Sequence, residues 1–532
     1  MTILEVAYVE DELSQFKKFG PILEKCFSTT GLEVSVTHLK SAETFAKHVK
    51  ENRPHIVVVD LKIGKDEVEG LRLISRYKDE MPYAVFCLLS REKVAFSQFG
   101  NHHPNPDFII SKVGIGSAWG KYHEFVRDEI LKKVRRAFIE KIEYTKPFGE
   151  IFEELHSRDS DPQKISEIDV RSIVEQVAFA GHIASTANVY KKVILEPLLG
   201  GYSGAIVLKM RVFRNSIDNI VGVLKISPIE FSELEFRNYE KYVKWTLPYT
   251  WRVEVLGTAR TRSFGGVCYS FVFDGQGSPN ELTSYFQSGT ANSVSIVCET
   301  IFNPQSRTWY SNVRDTGKDL SEYFSDKPFF KDSKQIESRE NVLIEVLEKK
   351  MNFSHFEITD KTIDIDGIRF PRPMRLLFTN NWTNALETIC HGDMNANNIM
   401  YEPKSGTIAF IDFLRTGLNH IYRDFISLES SVRLDWKSSK SKRKFRTLYE
   451  DEMRGFSLDP AITHASYLKR CVEIRRTAEQ NFRPVPMTQY YFGAVIHFWW
   501  LSVRFDHWSD AAYQRLCLGT LCALKNLEAE LG

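Results

Sequence analysis

The sequence predicts a multidomain protein with an α/β domain first and a larger α+β part after it. The chain has 532 residues, more than a single hydrophobic core accommodates. At the start, five short apolar runs alternate with helical patterns, which is typical of a parallel sheet covered on both faces. Two strand-like runs flank a polar turn at His391–Phe413, and a helical, aromatic-rich region follows. We therefore expect four segments, at 1–140, 141–190 (a helical connector), 191–275 and 276–532.

The composition is that of an ordinary folded protein, with 43% apolar and 26% charged residues. The net charge of +1 creates no overall field that would attract nucleic acid or an anionic membrane, so we expect neither partner. None of the eight cysteines belongs to a Cys-x-x-Cys pair, which favours a reducing compartment. No secretory leader pattern is present at the start of the chain, and the sequence predicts a cytoplasmic protein.

Polar residues lie at the ends of four of the five apolar runs of the first segment, where the predicted strands end. The runs are Ile3–Val9, Leu32–Leu39, His55–Asp60, Tyr83–Ser90 and Asp107–Lys112. Ligands bind at the carboxyl ends of parallel strands, so the residues there are candidate site residues. These residues are Glu10, Asp11, Asp60, Ser90 and Lys112. Three carboxylates at one sheet edge would repel one another unless a divalent cation neutralised them, which predicts a Mg²⁺ site.

This set of residues resembles the receiver domain of bacterial response regulators, which has a flavodoxin-like (βα)5 fold. The resemblance implies that Asp60 is phosphorylated and that Glu10, Asp11 and Asp60 bind Mg²⁺. It assigns Ser90 and Lys112 to the phosphorylation switch. It also implies an upstream histidine kinase or another phosphodonor as a partner. The alternative interpretation is a doubly wound domain whose strand ends are polar for no functional reason.

Apolar residues recur at steps of three or four from Trp119 to Ile142. This spacing predicts that the last helix of the first domain extends as a connector. A stripe of this length also fits the seam of a homodimer, so both interpretations stay open.

The turn at His391–Phe413 carries the residue types that phosphoryl transfer requires. Asn398 follows Asp393 by five positions, and Asp412 lies beyond the next apolar run. One carboxylate can orient or deprotonate an attacking hydroxyl, while a carboxylate and an amide oxygen can hold the Mg²⁺ ions that clamp nucleotide phosphates. The alternative is a polar turn between two strands that has no chemical role.

His391-Gly-Asp, four further residues and Asn398, followed by Ile-Asp-Phe, resembles the signature of the aminoglycoside phosphotransferase and choline kinase group. The resemblance implies a bilobal protein-kinase-like fold with a helical C-terminal lobe. It makes Asp393 the catalytic base or hydroxyl-orienting group, and Asn398 and Asp412 the Mg²⁺ ligands. Met394 and Asn395 depart from the usual Leu-His, which affects the loop and the acceptor pocket rather than the phosphate chemistry.

Residues upstream supply candidates for nucleotide binding. Gly200, Gly201 and Gly204 lie between strand-like runs, where their N–H groups can cradle phosphates. Lys225 lies in the next strand-like run and Glu235 in the helix after it, the order in which kinases present the lysine and glutamate that form an ion pair. An exposed lysine and glutamate without any such role is the alternative.

The run from Tyr269 resembles the strand and hinge that join two kinase lobes, so backbone groups near Phe273 and Asp274 would meet adenine. Taken together, the sequence predicts an ATP- and Mg²⁺-dependent phosphotransferase with an alcohol-type acceptor, controlled by aspartyl phosphorylation of the receiver-like domain. The acceptor is a small molecule or a protein. The rival hypothesis is a non-catalytic, nucleotide-binding signalling protein.

Overall fold

The computed structural model describes most of the chain. The described residues are 3–28, 33–66, 68–81, 83–90, 106–112, 127, 129–131, 133–134, 138–151, 165–180, 189–198, 205–213, 218–270, 280–288, 291–302, 307–324, 333–379, 382, 384–402, 406–437, 441, 443–458, 466–483, 485–504 and 508–531. The chain divides into two compact units. The first comprises Met1–Phe236 with Glu254–Phe271, and the second comprises Arg237–Val253 with Val272–Gly532. The boundaries of the four predicted segments stay predictions.

A parallel five-stranded sheet opens the first unit. Its strands are Ile3–Val9 (β1), Glu33–Leu39 (β2), Ile56–Asp60 (β3), Val85–Ser90 (β4) and Phe108–Ser111 (β5), in the order β2-β1-β3-β4-β5. Its described helices are Leu13–Ser28 (α1), Ala42–Glu51 (α2) and Glu69–Tyr77 (α3). Alternate residues of β3 point into separate hydrophobic cores on the two faces, Val57 and Val59 on one and Ile56 and Val58 on the other. All five predicted strands are therefore confirmed, in a sheet buried on both faces.

A six-stranded sheet completes the first unit. Its strands are Phe138–Tyr144 (β6), Val189–Pro197 (β7), Ile206–Phe213 (β8), Asp218–Pro228 (β9), Val255–Arg260 (β10) and Phe264–Ser270 (β11), in the order β10-β11-β9-β8-β7-β6. Its strands pair antiparallel except for β6 with β7. Helix α4 (Glu167–Ala180) packs into the core of this sheet, and α5 (Ile229–Asn238) follows β9. A π-helical turn, Tyr239–Val243, and a 3-10 turn, Tyr249–Trp251, come next in the chain and belong to the second unit.

The prediction of a continuous helix from Trp119 to Ile142 is wrong at its C-terminal end. Residues Phe138–Tyr144 form β6, which pairs in parallel with β7. The strand satisfies its backbone groups on β7 and buries Ile139 in the core of the six-stranded sheet, so tertiary pairing overrides the helical spacing. The 141–190 connector accordingly begins as a strand, although its helix α4 is confirmed. Trp119 lies outside the described residues.

The second unit is mainly helical, as the sequence predicts for the C-terminal region. Its described helices are Leu282–Ser288 (α6), Ala291–Phe302 (α7), Arg307–Tyr310 (α8), Leu320–Phe324 (α9), Ser333–Lys350 (α10), Pro373–Thr379 (α11), Arg423–Asp435 (α12), Phe445–Phe456 (α13), Ser466–Asn481 (α14), Thr488–Arg504 (α15) and Asp510–Leu531 (α16). Throughout the described parts of both units, every helix is too short or too polar to cross a membrane.

Three small sheets lie among these helices. They contain Asn280–Glu281 (β12) with Ile399–Glu402 (β18) and Thr407–Phe410 (β19), Arg314–Asp315 (β13) with Leu386–Cys390 (β17) and Gly417–His420 (β20), and Phe356–Ile358 (β14) with Thr362–Ile365 (β15) and Ile368–Pro371 (β16). The loop that begins at His391 leaves β17 and enters the hairpin of β18 and β19. The sheet that contains β17 therefore holds the start of the predicted catalytic turn, and the sheet that contains β18 and β19 holds the rest of it.

Candidate phosphotransfer site

The β18–β19 hairpin brings the three predicted residues of the turn together through its backbone. The Asn398 side chain donates from Nδ2 to the carbonyl oxygen of Asp393 at 2.9 Å. The backbone N–H of Ile411 donates to the Asn398 carbonyl at 3.0 Å, which places Asp412 one residue beyond the ladder. Because Nδ2 is engaged, the Oδ1 atom is the part of the Asn398 amide that remains for a cation.

Gly392 and Asp412, each next to a candidate site residue or itself one, adopt left-handed backbone conformations. Gly392 has a φ of 80°, and a Cβ there would lie 2.1 Å from the carbonyl oxygen of Arg415. Only glycine fits this close approach. Asp412 has a φ of 65°, a conformation that costs a non-glycine residue about 1–3 kcal/mol and tends to occur at functional sites.

A buried carboxylate holds the first half of the loop. Asp424, at the start of α12, accepts the backbone N–H of His391 and that of Gly392, each at 2.8 Å. It also accepts the hydroxyl of Tyr310 at 2.7 Å. Burial raises the pKa of Asp424, and these hydrogen bonds act against that rise. Tyr310 lies 114 positions before Asp424, so no local pattern in the sequence indicates this contact.

The His391 ring connects the loop to the strand that precedes Asp412. Its Nε2 atom lies 2.9 Å from the carbonyl oxygen of Ile411, and the ring is fully buried. Phe413 and Phe410 contact the same ring, at centroid distances of 5.7 and 6.1 Å. The turn is thus fixed by packing as well as by hydrogen bonds, so its polar groups are pre-organised.

The predicted lysine and glutamate form an ion pair in the first unit. Lys225 on β9 and Glu235 on α5 approach to 2.9 Å, and both are nearly buried. The Tyr269 hydroxyl donates to the other oxygen of Glu235 at 2.7 Å, a contact that the sequence did not predict. A buried pair with this second support presents the lysine in one defined position. The other nucleotide candidates, Gly200, Gly201, Gly204, Phe273 and Asp274, lie outside the described residues.

The carboxyl edge of the five-stranded sheet holds a cluster of acids, and Lys112 joins two of them. Carboxylate oxygens of Glu10, Asp11 and Asp60 all lie within 4.8 Å of one another. Lys112 Nζ lies 2.8 Å from Asp60 and 3.0 Å from Glu10. Burial raises the pKa of both Glu10 and Asp60, while Lys112 acts in the opposite direction. Ser90 is buried at the end of β4, and its carbonyl accepts the Lys112 N–H at 2.7 Å.

The donor set at this edge fits a magnesium ion. Three carboxylates supply only oxygen ligands, which Mg²⁺ prefers, and one lysine leaves part of their charge unbalanced. Asp11 also accepts the N–H of Gly64 at 2.9 Å, which ties the acid pair to the loop after Asp60. At Gly70, an added Cβ would lie 2.0 Å from the Asp60 carbonyl, so that loop needs a glycine for close packing.

No known family model matches this chain, and neither does any curated protein sequence. Several solved kinase-like structures show a loose likeness to it. An aminoglycoside phosphotransferase from Streptomyces rimosus is 14% identical, with 62% of this chain and 93% of that one covered and a TM-score of 0.30. A putative fructosamine-3-kinase from Haemophilus somnus is 10% identical, with coverage of 67% and 100% and a TM-score of 0.33.

A Plasmodium vivax ethanolamine kinase is 12% identical, with 63% of this chain and 84% of that one covered and a TM-score of 0.30. All three scores lie below 0.5, so these likenesses carry no weight for the chemistry of this chain.

Proposed function

We propose that this protein is an ATP-dependent phosphotransferase with an alcohol-type acceptor and a protein-kinase-like, bilobal catalytic part. The observation that carries the proposal is the Asn398 side chain bonded to the Asp393 carbonyl, within a hairpin that leads directly to Asp412. This arrangement fixes a carboxylate, an amide oxygen and a second carboxylate on one short backbone frame. Phosphoryl transfer needs such a set.

In this proposal Asp393 accepts the proton of the acceptor hydroxyl or orients that hydroxyl toward the γ-phosphorus. Asn398 Oδ1 and the Asp412 carboxylate would hold Mg²⁺, which when bound neutralises the charge that develops on the phosphate oxygens. The acceptor oxygen forms a bond to phosphorus as the bond to the ADP oxygen breaks. Asp424 and Gly392 keep the loop in place during this step.

Lys225 would bind the α- and β-phosphates of ATP, with Glu235 and Tyr269 setting its position. The ion pair of Lys225 and Glu235 is buried, so the lysine ammonium is held in one direction. Gly200, Gly201 and Gly204 would cradle the phosphates, and backbone groups near Phe273 and Asp274 would meet adenine.

We propose that the five-stranded domain is a receiver that controls this activity. Its strand order, 2-1-3-4-5, is the flavodoxin-like order, in which ligands bind at the carboxyl edge. Glu10, Asp11 and Asp60 meet at that edge. An Asp60 oxygen would attack the phosphorus of a histidine kinase phosphohistidine or of an acyl phosphate, displacing imidazole or carboxylate and forming an aspartyl phosphate. Ser90 and Lys112 would then contact the new phosphoryl oxygens.

The test of the catalytic half compares Asp393→Ala with Asp360→Ala, an exposed aspartate, using γ-labelled ATP and Mg²⁺. General-base or orienting residues contribute about 10²–10⁴-fold, so phosphate release or transfer should fall by at least about 100-fold in Asp393→Ala alone. Equal rates in the two variants would remove Asp393 from the mechanism. Binding of ADP by the unmutated protein without any phosphate release or transfer would favour the non-catalytic alternative.

The test of the receiver half is incubation with labelled acetyl phosphate and Mg²⁺. One hydroxylamine-labile phosphoryl group should appear per chain and be lost in Asp60→Ala. The exposed Glu43→Gln variant is the matched control and should keep the label. Persistence of the label in Asp60→Ala would contradict the assignment.

A further inference from the structure

Asn395 occupies the centre of the catalytic turn, two residues after Asp393 and three before Asn398. Its backbone is extended, with a φ of −86° and a ψ of 159°, and it immediately precedes the 3-10 turn Ala396–Asn398. Its side chain accepts the backbone N–H of Asn397 at 3.0 Å and that of Asn398 at 3.2 Å. Asn395 is therefore the N-cap of the turn that carries Asn398.

Ala396 and Asn397, the first two residues of the 3-10 turn, are hydrogen-bonded to neighbouring helices. The Ala396 N–H donates to the Ser431 hydroxyl on α12 at 3.1 Å. The Asn397 side chain accepts the Thr283 hydroxyl on α6 at 2.7 Å. These contacts hold the first two residues of the turn, whereas the Asn398 N–H is bonded within the turn itself, to the side chain and to the carbonyl of Asn395.

The direction of the Asn398 amide depends on this cap. Asn398 Nδ2 donates to the Asp393 carbonyl, which also accepts the Asn395 N–H at 2.8 Å. If the turn opens, the Asn398 side chain no longer reaches that carbonyl, and its Oδ1 atom loses its fixed direction. The described side-chain contacts of Asn395 are all with the backbone of this loop, namely the two capping bonds and a longer contact from Nδ2 to the Asp393 carbonyl at 3.4 Å, so we infer that it acts through Asn398.

We propose that Asn395 is a positioning residue whose cap aims the Asn398 oxygen at the divalent cation. The proposal rests on the function proposed above and goes beyond it, because it assigns to Asn395 the role of holding the cation ligand Asn398 in position. In this proposal residue 395 has to provide a side-chain oxygen that accepts the N–H groups of Asn397 and Asn398. Serine, which caps about as well as asparagine, should therefore substitute for it, and alanine should not.

The probe is the Mn²⁺ that the full chain and ADP bind together beyond what each binds alone, followed by the paramagnetic signal of free Mn²⁺. This difference leaves out Mn²⁺ bound at the separate acid cluster of Glu10, Asp11 and Asp60. Removing a residue that orients a metal ligand costs about 10–100-fold in metal affinity, and we expect a loss in that range for Asn395→Ala. Asn395→Ser should stay within about threefold of the unmutated protein, since it restores the cap. ADP binding without metal, together with the unfolding midpoint, establishes that each variant is folded.

The outcomes separate this proposal from the function on which it rests. If the unmutated protein and ADP together bind no additional Mn²⁺, the cation site proposed at Asn398 and Asp412 is wrong. If it binds Mn²⁺ and Asn395→Ala binds equally well, the positioning role is wrong while the site stands. Equal losses in the alanine and serine variants would also overturn the role, because capping would then not be the cause.

Discussion

The buried hydroxyl of Tyr310 donates to the carboxylate of Asp424 at 2.7 Å. The same carboxylate accepts the backbone N–H groups of His391 and Gly392, so Tyr310 supports the candidate phosphotransfer turn through Asp424. Burial raises the pKa of Asp424, and each hydrogen bond to the carboxylate lowers it again. The stability of the turn therefore depends on a residue far outside the motif that defines it.

Tyr310→Phe should lower the free energy of unfolding by about 1.5–3 kcal/mol, the range for a hydrogen bond to a charged group. Chemical denaturation measures this loss. Tyr422→Phe is the matched control in the same unit, because the Tyr422 hydroxyl donates to the neutral Val485 carbonyl at 3.4 Å. That variant should lose about 1 kcal/mol or less. A larger loss in the control than in Tyr310→Phe would contradict the role of Tyr310.

Gly392→Ala should abolish phosphate transfer and destabilise the second unit. Its φ of 80° disfavours alanine, and the new Cβ would lie 2.1 Å from the Arg415 carbonyl, so the loop has to move. Gly406→Ala separates these two effects, because Gly406 has a φ of 67° with nothing within 4 Å of its Cβ position. The control should lose about 1–2 kcal/mol from backbone strain alone and keep its activity. Inactivation of both variants would show that close packing at Gly392 is not the cause.

The sequence predicted the parts of the fold that local patterns determine. The five strands of the first sheet are confirmed, because each lies on a short run that is rich in β-branched or aliphatic residues. Strand β6 was missed because its partner β7 begins at Val189, and pairing over that separation leaves no local signal. The seven-residue segment Phe138–Tyr144 contains apolar residues that also fit a helical spacing.

The candidate site divides in the same way. Asp393, Asn398 and Asp412 follow from spacing within one turn, and Lys225 with Glu235 from a strand and the helix after it. Tyr269 and Tyr310 did not follow, because each reaches a carboxylate 34 or 114 positions away. A buried tyrosine can pack in many different apolar environments. Only the tertiary fold shows which tyrosine hydroxyl donates to a buried carboxylate.

Lys225→Met should destabilise the first unit by about 3–5 kcal/mol, because it leaves Glu235 buried without its partner. The double variant Lys225→Met with Glu235→Gln removes both charges and keeps an acceptor for the Tyr269 hydroxyl, so it should lose less. Unfolding measurements on the unmutated protein, the two single variants Lys225→Met and Glu235→Gln, and the double variant give the coupling energy. Lys191→Met, at an exposed position on β7, is the control and should change little. A double variant less stable than Lys225→Met would contradict the buried-pair interpretation.

The acid cluster of the first sheet should make stability depend on pH and on Mg²⁺. Burial raises the pKa of Glu10 and Asp60, so the folded state holds these protons more tightly than the unfolded state. A raised carboxyl pKa stabilises the fold below the unfolded value of about 4. That contribution is lost as the pH rises through the folded value. At neutral pH the ionised cluster is therefore a net cost, which a bound cation relieves.

Asp60→Asn should consequently raise the unfolding midpoint at pH 7 in the absence of divalent cations, because Lys112 then balances Glu10 alone. At pH 4 the gain should shrink, since the raised pKa values of Glu10 and Asp60 favour the uncharged carboxyl groups as the pH falls. Mg²⁺ should raise the midpoint of the unmutated protein at pH 7 and have little effect on Asp60→Asn. Glu43→Gln, an exposed change on α2, should leave both responses unchanged. A lower midpoint for Asp60→Asn at pH 7 without cations would show that the three acids do not repel one another in the folded domain.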